Sequence, residues 1–324
     1  MTRMTKTTLL ALTALTMMAP ASGQHPFEKR EPQPPLAEPV HPAASISEGD
    51  AWTVDFGFNQ VITRQRQTAD WEPDGPLRND RLIQNATLSC KVVSIDEESG
   101  VATITADFER LLIIRGGDEQ QQEYRWKTGD APTGKDDPAS KMIAALTAAT
   151  LTARVSPTGR VRGVTGYDGV LSALESGSDQ DRAMLGIFSQ ASFGSQLEMI
   201  WRSGDLAGVP RNVPDQWTTT RTASLGPVGS IRIEQANEIH RIEEGKIKAE
   251  GEITLTVAEP AEPAGAGAPA IELIHEDGKG KTVWNLEKGR VDSASERLDI
   301  GARWSLGEAH LGFTMRTERS LAVR

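Results

Sequence analysis

The chain has 324 residues, with 45 acidic side chains against 35 basic and a single cysteine. A net charge of −10 with no basic stripe excludes the usual electrostatic route to nucleic acid or to an anionic membrane surface. One cysteine excludes an internal disulfide framework, while a chain of this length can bury a large core and hold two domains.

The first 23 residues read as a signal peptide. Arg3 and Lys6 precede the apolar run "TTLLALTALTMMAPA" and then "SGQ", which places small residues at a cleavage point after Ala21 or after Gly23. The run is too short to span a bilayer, so no transmembrane segment is expected once it is removed. No cysteine stands at the cleavage point, so the expectation is a periplasmic or extracellular protein that is not a lipoprotein. Residues 24–44, "QHPFEKREPQPPLAEPVHPAA", are rich in proline and read as an extended linker carrying His25 and His41 in solvent.

A first strand-rich unit is expected over residues 45–166. "GDAWTVDFGFNQVITRQ" alternates as a strand. "ATLSCKVVSI" and "VATITADFERLLII" flank the acidic turn "DEESG" as a hairpin, with Cys90 a small buried strand residue. "DDPASKMIAALTAA" predicts an inserted helix with Pro138 at its first position and Met142, Ile143, Leu146 and Ala149 on one face. Residues 167–208 change to helical spacing and form a connector. Residues 209–324 return to strands as a second unit, interrupted by the low-complexity loop "AEPAEPAGAGAPA" at 258–270.

The two units share three landmarks in the same order. "GDAWT" (49–53) answers to "PDQWT" (214–218), "SIDEESGVATIT" to "RIEEGKIKAEGEIT", and "TARVSPTGRV" (152–161) to "TVWNLEKGRV" (282–291). An internal duplication accounts for this; a single large sheet with similar hairpins is the alternative. Gly159 and Gly289 then serve turns that need positive φ, and Trp52 and Trp217 anchor the opening strands. With "GDAW" and "SPTGRV" the chain resembles the uncharacterised secreted β-rich bacterial proteins that pair a GD-x-W strand start with a P-x-G-x-V turn. That resemblance implies an exported location and a fold style, and no activity. The second copy departs from it with "PDQW" and "LEKGRV".

Catalytic signatures are not found. "HEDGKGKT" (275–282) lacks the upstream glycine of a phosphate-binding loop and the second histidine of a zinc helix, and Asp277-Gly278 reads as a hairpin turn. His240 and His275 fall in one unit and could approach each other, but scattered strand histidines do not make a metal site. The acidic pairs Glu97-Glu98, Asp136-Asp137 and Glu243-Glu244 mark turns and a helix start. The expected fold is therefore α+β, mainly antiparallel β, with two related units of curled sheet joined by a short helical segment. The expected function is non-enzymatic, without cofactor or metal: an envelope protein binding a lipid or other apolar molecule between sheet and helices. Met184, Leu185, Ile187, Phe188, Met199 and Trp201 are its candidate lining. A structural module that binds another envelope protein is the alternative, and a hydrolase with an unrecognised site a minor one.

Overall fold

The computed structural model describes residues 33–117, 120–130, 138–175, 190–202, 206, 208–224, 230–258, 270–306 and 309–324. Its twelve strands are β1 (Ala51–Gln67), β2 (Arg78–Ile95), β3 (Ala102–Gly117), β4 (Gln121–Lys127), β5 (Thr150–Val155), β6 (Val161–Thr165), β7 (Gln216–Ser224), β8 (Ser230–Glu243), β9 (Lys246–Ala258), β10 (Ala270–Asn285), β11 (Arg290–Leu306) and β12 (Ala309–Val323). Among the described residues three helices accompany them: α1 (Pro138–Ala148), α2 (Asp168–Glu175) and α3 (Gln190–Arg202).

Period-two patterning makes the strands. In β1, Trp52, Val54, Phe56 and Phe58 are buried, while Thr53, Asp55 and Asn59 face the other side and are only half covered. Hairpin chemistry joins neighbours. Between β2 and β3, the Asp96 carboxylate accepts bonds from the Ser99 amide (2.8 Å) and hydroxyl (2.6 Å), and Gly100 turns the chain at φ 64. Between β8 and β9, Glu244 and Gly245 take φ of 51 and 70, the paired positive values of a two-residue turn that matches strand twist.

All strands join in one sheet. The order is β6-β5-β3-β2-β1-β12-β11-β10-β9-β8-β7, every pairing is antiparallel, and β4 adds beside β3. The two strand-rich units therefore meet directly, through β1 and β12, in register from Val54↔Val323 to Gln67↔His310. The helices lie against the sheet: α3 packs on β6 and β11, and α1 packs on β3 and α2. Phe193, Leu197, Ile200 and Trp201 form the inward stripe of α3, at the spacing of one helical face.

The sheet curls without closing, and its concave side holds two separate cores. The larger lies beneath the helices and gathers Trp52, Leu88, Ile104, Leu151, Trp201 and Trp284 with their neighbours. The second lies where β8 and β9 turn back over β11 and β12, joining Ile233 and Leu255 to Leu298, Ile300, Trp304 and Met315.

Two expectations change here. Asp277-Gly278 is not a hairpin turn but the middle of β10. There the glycine keeps the corner of the sheet open: a Cβ on Gly278 would lie 2.6 Å from Ile253 Cβ and 2.9 Å from Leu298 Cδ1. The Pro-rich segment, over its described part, is docked rather than extended into solvent. Val40 exchanges backbone bonds with Arg211 at 2.8 and 2.7 Å, Gln33 binds both backbone groups of Ile242, and Leu36, Val40 and Ile46 pack on the larger core.

The shared Gly-Arg-Val turns are close-approach points as well as turns. Gly159 sits at φ 78 and Gly289 at φ 57. A Cβ on Gly159 would stand 2.3 Å from Trp201 Cβ, and one on Gly289 would stand 2.4 Å from the Ser45 amide. Gly159→Ala combines left-handed backbone strain with overpacking. Urea unfolding should show a loss of about 2–4 kcal/mol, whereas Gly163→Ala, with open space at that position, should stay within about 1 kcal/mol of wild type.

Candidate functional site: the concave face and its polar belt

Strand register places one level of side chains across the whole concave face. In order come Gln84 on β2, Phe58 on β1, Arg319 on β12, Glu296 on β11, Gly280 on β10, Gly251 on β9 and Asn237 on β8. The next level outward carries Gln60, Thr317, Gly278 and Gln235. These two levels form a polar belt between two apolar cores. Within it Gln84, Gln60, Thr317, Arg319 and Asn237 are all buried.

Burial obliges these groups to find partners. Gln235 donates to Asn237 Oδ1 at 2.7 Å, and Asn237 donates back to the Gln235 carbonyl at 3.1 Å. The neighbouring glycines make this possible, since a Cβ on Gly280 or Gly251 would meet the Gln235 amide at 2.6 or 2.8 Å. Gln60 Nε2 lies 3.0 Å from Met315 Sδ and 3.4 Å from Thr317 Oγ1. Gln84 Nε2 is buried and meets no acceptor among the described residues.

At the centre of the belt, two guanidiniums share one carboxylate oxygen. Arg221 Nη2 is 2.6 Å and Arg319 Nη1 3.2 Å from Glu296 Oε1. Arg221 belongs to β7, four ladder steps from β11, a separation of about 19 Å in a flat sheet. Their contact is thus a direct measure of the curl and fastens the β7 edge across the interior. Burial alone would push the Glu296 carboxyl up. The fields of Arg221 and Arg319 and the bond from Arg221 outweigh it and hold the carboxyl at about 2. Burial draws Arg319 down to about 10, against the pull of Glu296, so the charged cluster is held together while one member still carries a desolvation cost.

Of the sequence-derived lining, Met199 and Trp201 on α3 are among the described residues. Trp201 is buried, with its ring edge-on to Trp52 at 5.6 Å between centroids. Met199 is half-buried against the same core. Met184, Leu185, Ile187 and Phe188 lie outside the described residues. The Gly-Arg-Val arginine of the second unit stacks on the opening tryptophan of the first, with Arg290 Cζ 5.1 Å from the Trp52 ring. Trp217 lies on the edge strand β7, half covered, with Arg211 4.8 Å above its ring.

The other chemistry-bearing residues sit apart. His240 lies 3.6 Å from Glu250, while His275 stands on the far half of β10 opposite Gly301. Among the described residues no three His, Cys, Asp or Glu side chains converge as metal ligands do. Glu243 is held by Lys248 (2.6 Å) and Arg241 (3.3 Å) on a solvated turn. Sequence reading missed the belt because its members are scattered over seven strands; only inward-facing polar residues within apolar strands, such as Gln84 and Glu296, hinted at it.

Two measurements follow from these environments. Burial, aided by Asp107, pushes the Cys90 thiol up to about 12, so Cys90 should resist a thiol reagent such as dithionitrobenzoate in native protein and react fully in urea. Glu296 has its folded value depressed from 4.5 to about 2, so the native state binds fewer protons than the unfolded chain between those values. Its stabilising contribution is complete above the unfolded value and is lost as pH falls through the folded one. Glu296→Gln strands two guanidiniums in the belt and should cost about 3–5 kcal/mol at pH 7. The difference from wild type in urea unfolding should shrink as pH falls from 5 towards 2.

No family model matches this chain, and no curated protein matches it. Among solved structures, one of lipid–protein interactions in lipovitellin is similar over 86% of this chain and 25% of that one, at 11% identity and a TM-score of 0.45. This chain thus spans a quarter of the length of that one. The crystal structures of Pseudomonas aeruginosa OccK7 (OpdD) and OccK5 (OpdH) are similar over 85% of this chain and 99% and 98% of theirs, at 7% and 8% identity and TM-scores of 0.23.

Proposed function

We propose that this is an exported, non-enzymatic protein that binds a lipid or another apolar molecule on the concave face of its curled sheet. The observation that carries the reading is an unclosed sheet whose hollow is apolar on both sides of a polar belt. A helix laid over such a hollow shares no strand ladder with it, and α3 is held by packing and by the bond from the Val161 amide to Glu198 Oε2 at 3.3 Å, so it can move aside without breaking a ladder. Helices α1 and α3 cover one end in this way, and the half-buried Met199 is a pliable contact of the kind that binding surfaces use. The remaining candidate lining, Met184, Leu185, Ile187 and Phe188, belongs to the same helical stretch of sequence.

The non-enzymatic part rests on how the reactive groups are employed. Cys90 is buried with a raised thiol pKa, and Glu243, His240 and Glu296 each have a basic or acidic neighbour. We also read the meanders β1-β2-β3-β5-β6 and β7-β8-β9-β10-β11 as copies of one unit. What supports this is that the matched sequence landmarks fall on matching hairpins: β2–β3 with β8–β9, and β5–β6 with β10–β11. A second reading, a module that binds an envelope protein by strand addition, is favoured by β7, whose nine residues end the described ladder.

The test is native mass spectrometry of the mature chain, residues 24–324, purified gently from a bacterial periplasm, with an organic extract of the same sample. The expected result is an adduct lost on denaturation and recovered as lipid in the extract. A bare mass, together with unchanged thermal unfolding when fatty acids and phospholipids are added, would overturn the carrier reading in favour of strand addition at β7.

A further inference from the structure

One edge of β3 pairs with β2 along its whole length, and the other edge is shared by two strands. β5 pairs with it from Ala102 to Asp107 and β4 from Arg110 to Gly116. Phe108 and Glu109 lie between these ladders and belong to neither. Glu109 is the extra residue of a bulge, since Thr87 on β2 faces Arg110 while Leu88 faces Phe108. The fork leaves a bay of about 600 Å³ in the sheet, within the size range of small-molecule sites.

Backbone bonds hold both sides of the bay. Thr128 donates its amide and its hydroxyl to the Glu109 carbonyl at 2.8 and 3.3 Å, and Asp130 accepts the Lys127 amide at 3.0 Å where β4 ends. Across the bay the Thr150 hydroxyl donates to Asp107 Oδ1 at 2.7 Å. Phe108, which is buried, and Trp126, which is half-buried, supply aromatic lining.

Register distributes the charge. Asp55, Thr87, Arg110 and Lys127 form one row on the convex face, so two cations stand directly opposite each other on β3 and β4. Like charges so placed repel. Asp107 lies on the β5 side, opposite Thr150, and Glu109 lies at the head of the bay. Among the described residues, neither Arg110 nor Lys127 makes an ion pair, and the Glu109 carboxylate accepts no hydrogen bond. The bay is therefore cationic at its β4 end and anionic towards β5. A ligand of one sign is attracted at one end and repelled at the other, whereas a molecule carrying both signs gains at both.

We propose that this bay on the convex face binds a small zwitterion, with its anionic group between Arg110 and Lys127 and its ammonium beside Asp107 and Glu109. A dipeptide and the headgroup of a zwitterionic lipid share this chemistry. The site lies apart from the concave face and does not rest on the carrier reading.

The experiment is titration calorimetry at low salt on the full mature chain. Glycyl-leucine is compared with glycyl-leucinamide, which keeps only the cation, and with N-acetylglycyl-leucine, which keeps only the anion. Glycerophosphoethanolamine is compared in the same way with ethanolamine and glycerophosphoglycerol. At least one zwitterion should bind about fivefold more tightly than either of its analogues, and the one that does identifies a peptide or a lipid headgroup as the source. The side chains of Asp107 and Lys127 are exposed, so their variants should fold. Lys127→Gln should bring the zwitterion down to the affinity of the cationic analogue. Asp107→Asn, which keeps the oxygen that Thr150 binds, should bring it down to that of the anionic one. An analogue that binds as tightly as its zwitterion, zwitterion binding indifferent to both variants, or no binding of either zwitterion would overturn the proposal. None of these results bears on the lipid adduct sought by native mass spectrometry.

Discussion

Everything in this molecule depends on the pairing of β1 with β12. Without that ladder there are two meanders, each with an open edge and half a core. With it there is one sheet in which Trp52, Val54 and Phe56 adjoin Leu321 and Val323, and a hollow wide enough to need two cores. Backbone bonds extend the ladder past its strand ends, with Thr53 and Arg324 exchanging bonds at 3.1 and 2.9 Å. Arg324 then reaches back to Asp55 at 2.5 Å. A contact of such sequence separation is reached late in folding, because loop closure has to precede any gain from it.

The belt is where stability is conceded. Apolar residues at Gln84, Glu296 and Arg319 would merge the two cores and remove the desolvation cost that draws Arg319 down. The chain instead places charge at the one level where its register brings β2, β12, β11 and β8 into line, and it deletes side chains at Gly251 and Gly280 to let Gln235 lie across the corner. A sheet this curled also has to bend somewhere, and glycines within β9 and β10 let it do so while most of the surrounding ladder stays intact.

Much of the architecture was legible from local pattern. Alternation in "AWTVDFGF", the acidic turns "DEESG" and "EEG", and Pro138 at a helix start each specify their own element, and these appear where expected. Chain order is harder to see. Nothing in "GDAWT" announces that its strand lies beside the last one, since the pairing is decided by which apolar faces can be buried together. Asp277-Gly278 shows the same limit, as a turn signal that tertiary packing converts into a corner within β10. For the site, the burial of Trp201 on the inward stripe of α3 was readable from helical spacing, whereas the belt is assembled by register across strands and has no local signature. Trp217 shows the cost of reasoning by analogy: its partner in the first unit, Trp52, is buried centrally, while it sits on an edge strand and leans on Arg211.

The position of β12 also bears on when the fold can exist. It follows every other described strand in the chain yet lies between β1 and β11, so a ribosome releases it after all the strands it must join. Until then β1 lacks one neighbour along its whole length, and the apolar row of Trp52, Val54, Phe56 and Phe58 has only β2 beside it. Such a chain stays unfolded through most of its synthesis. That is the state in which a polypeptide can be threaded through a narrow membrane channel.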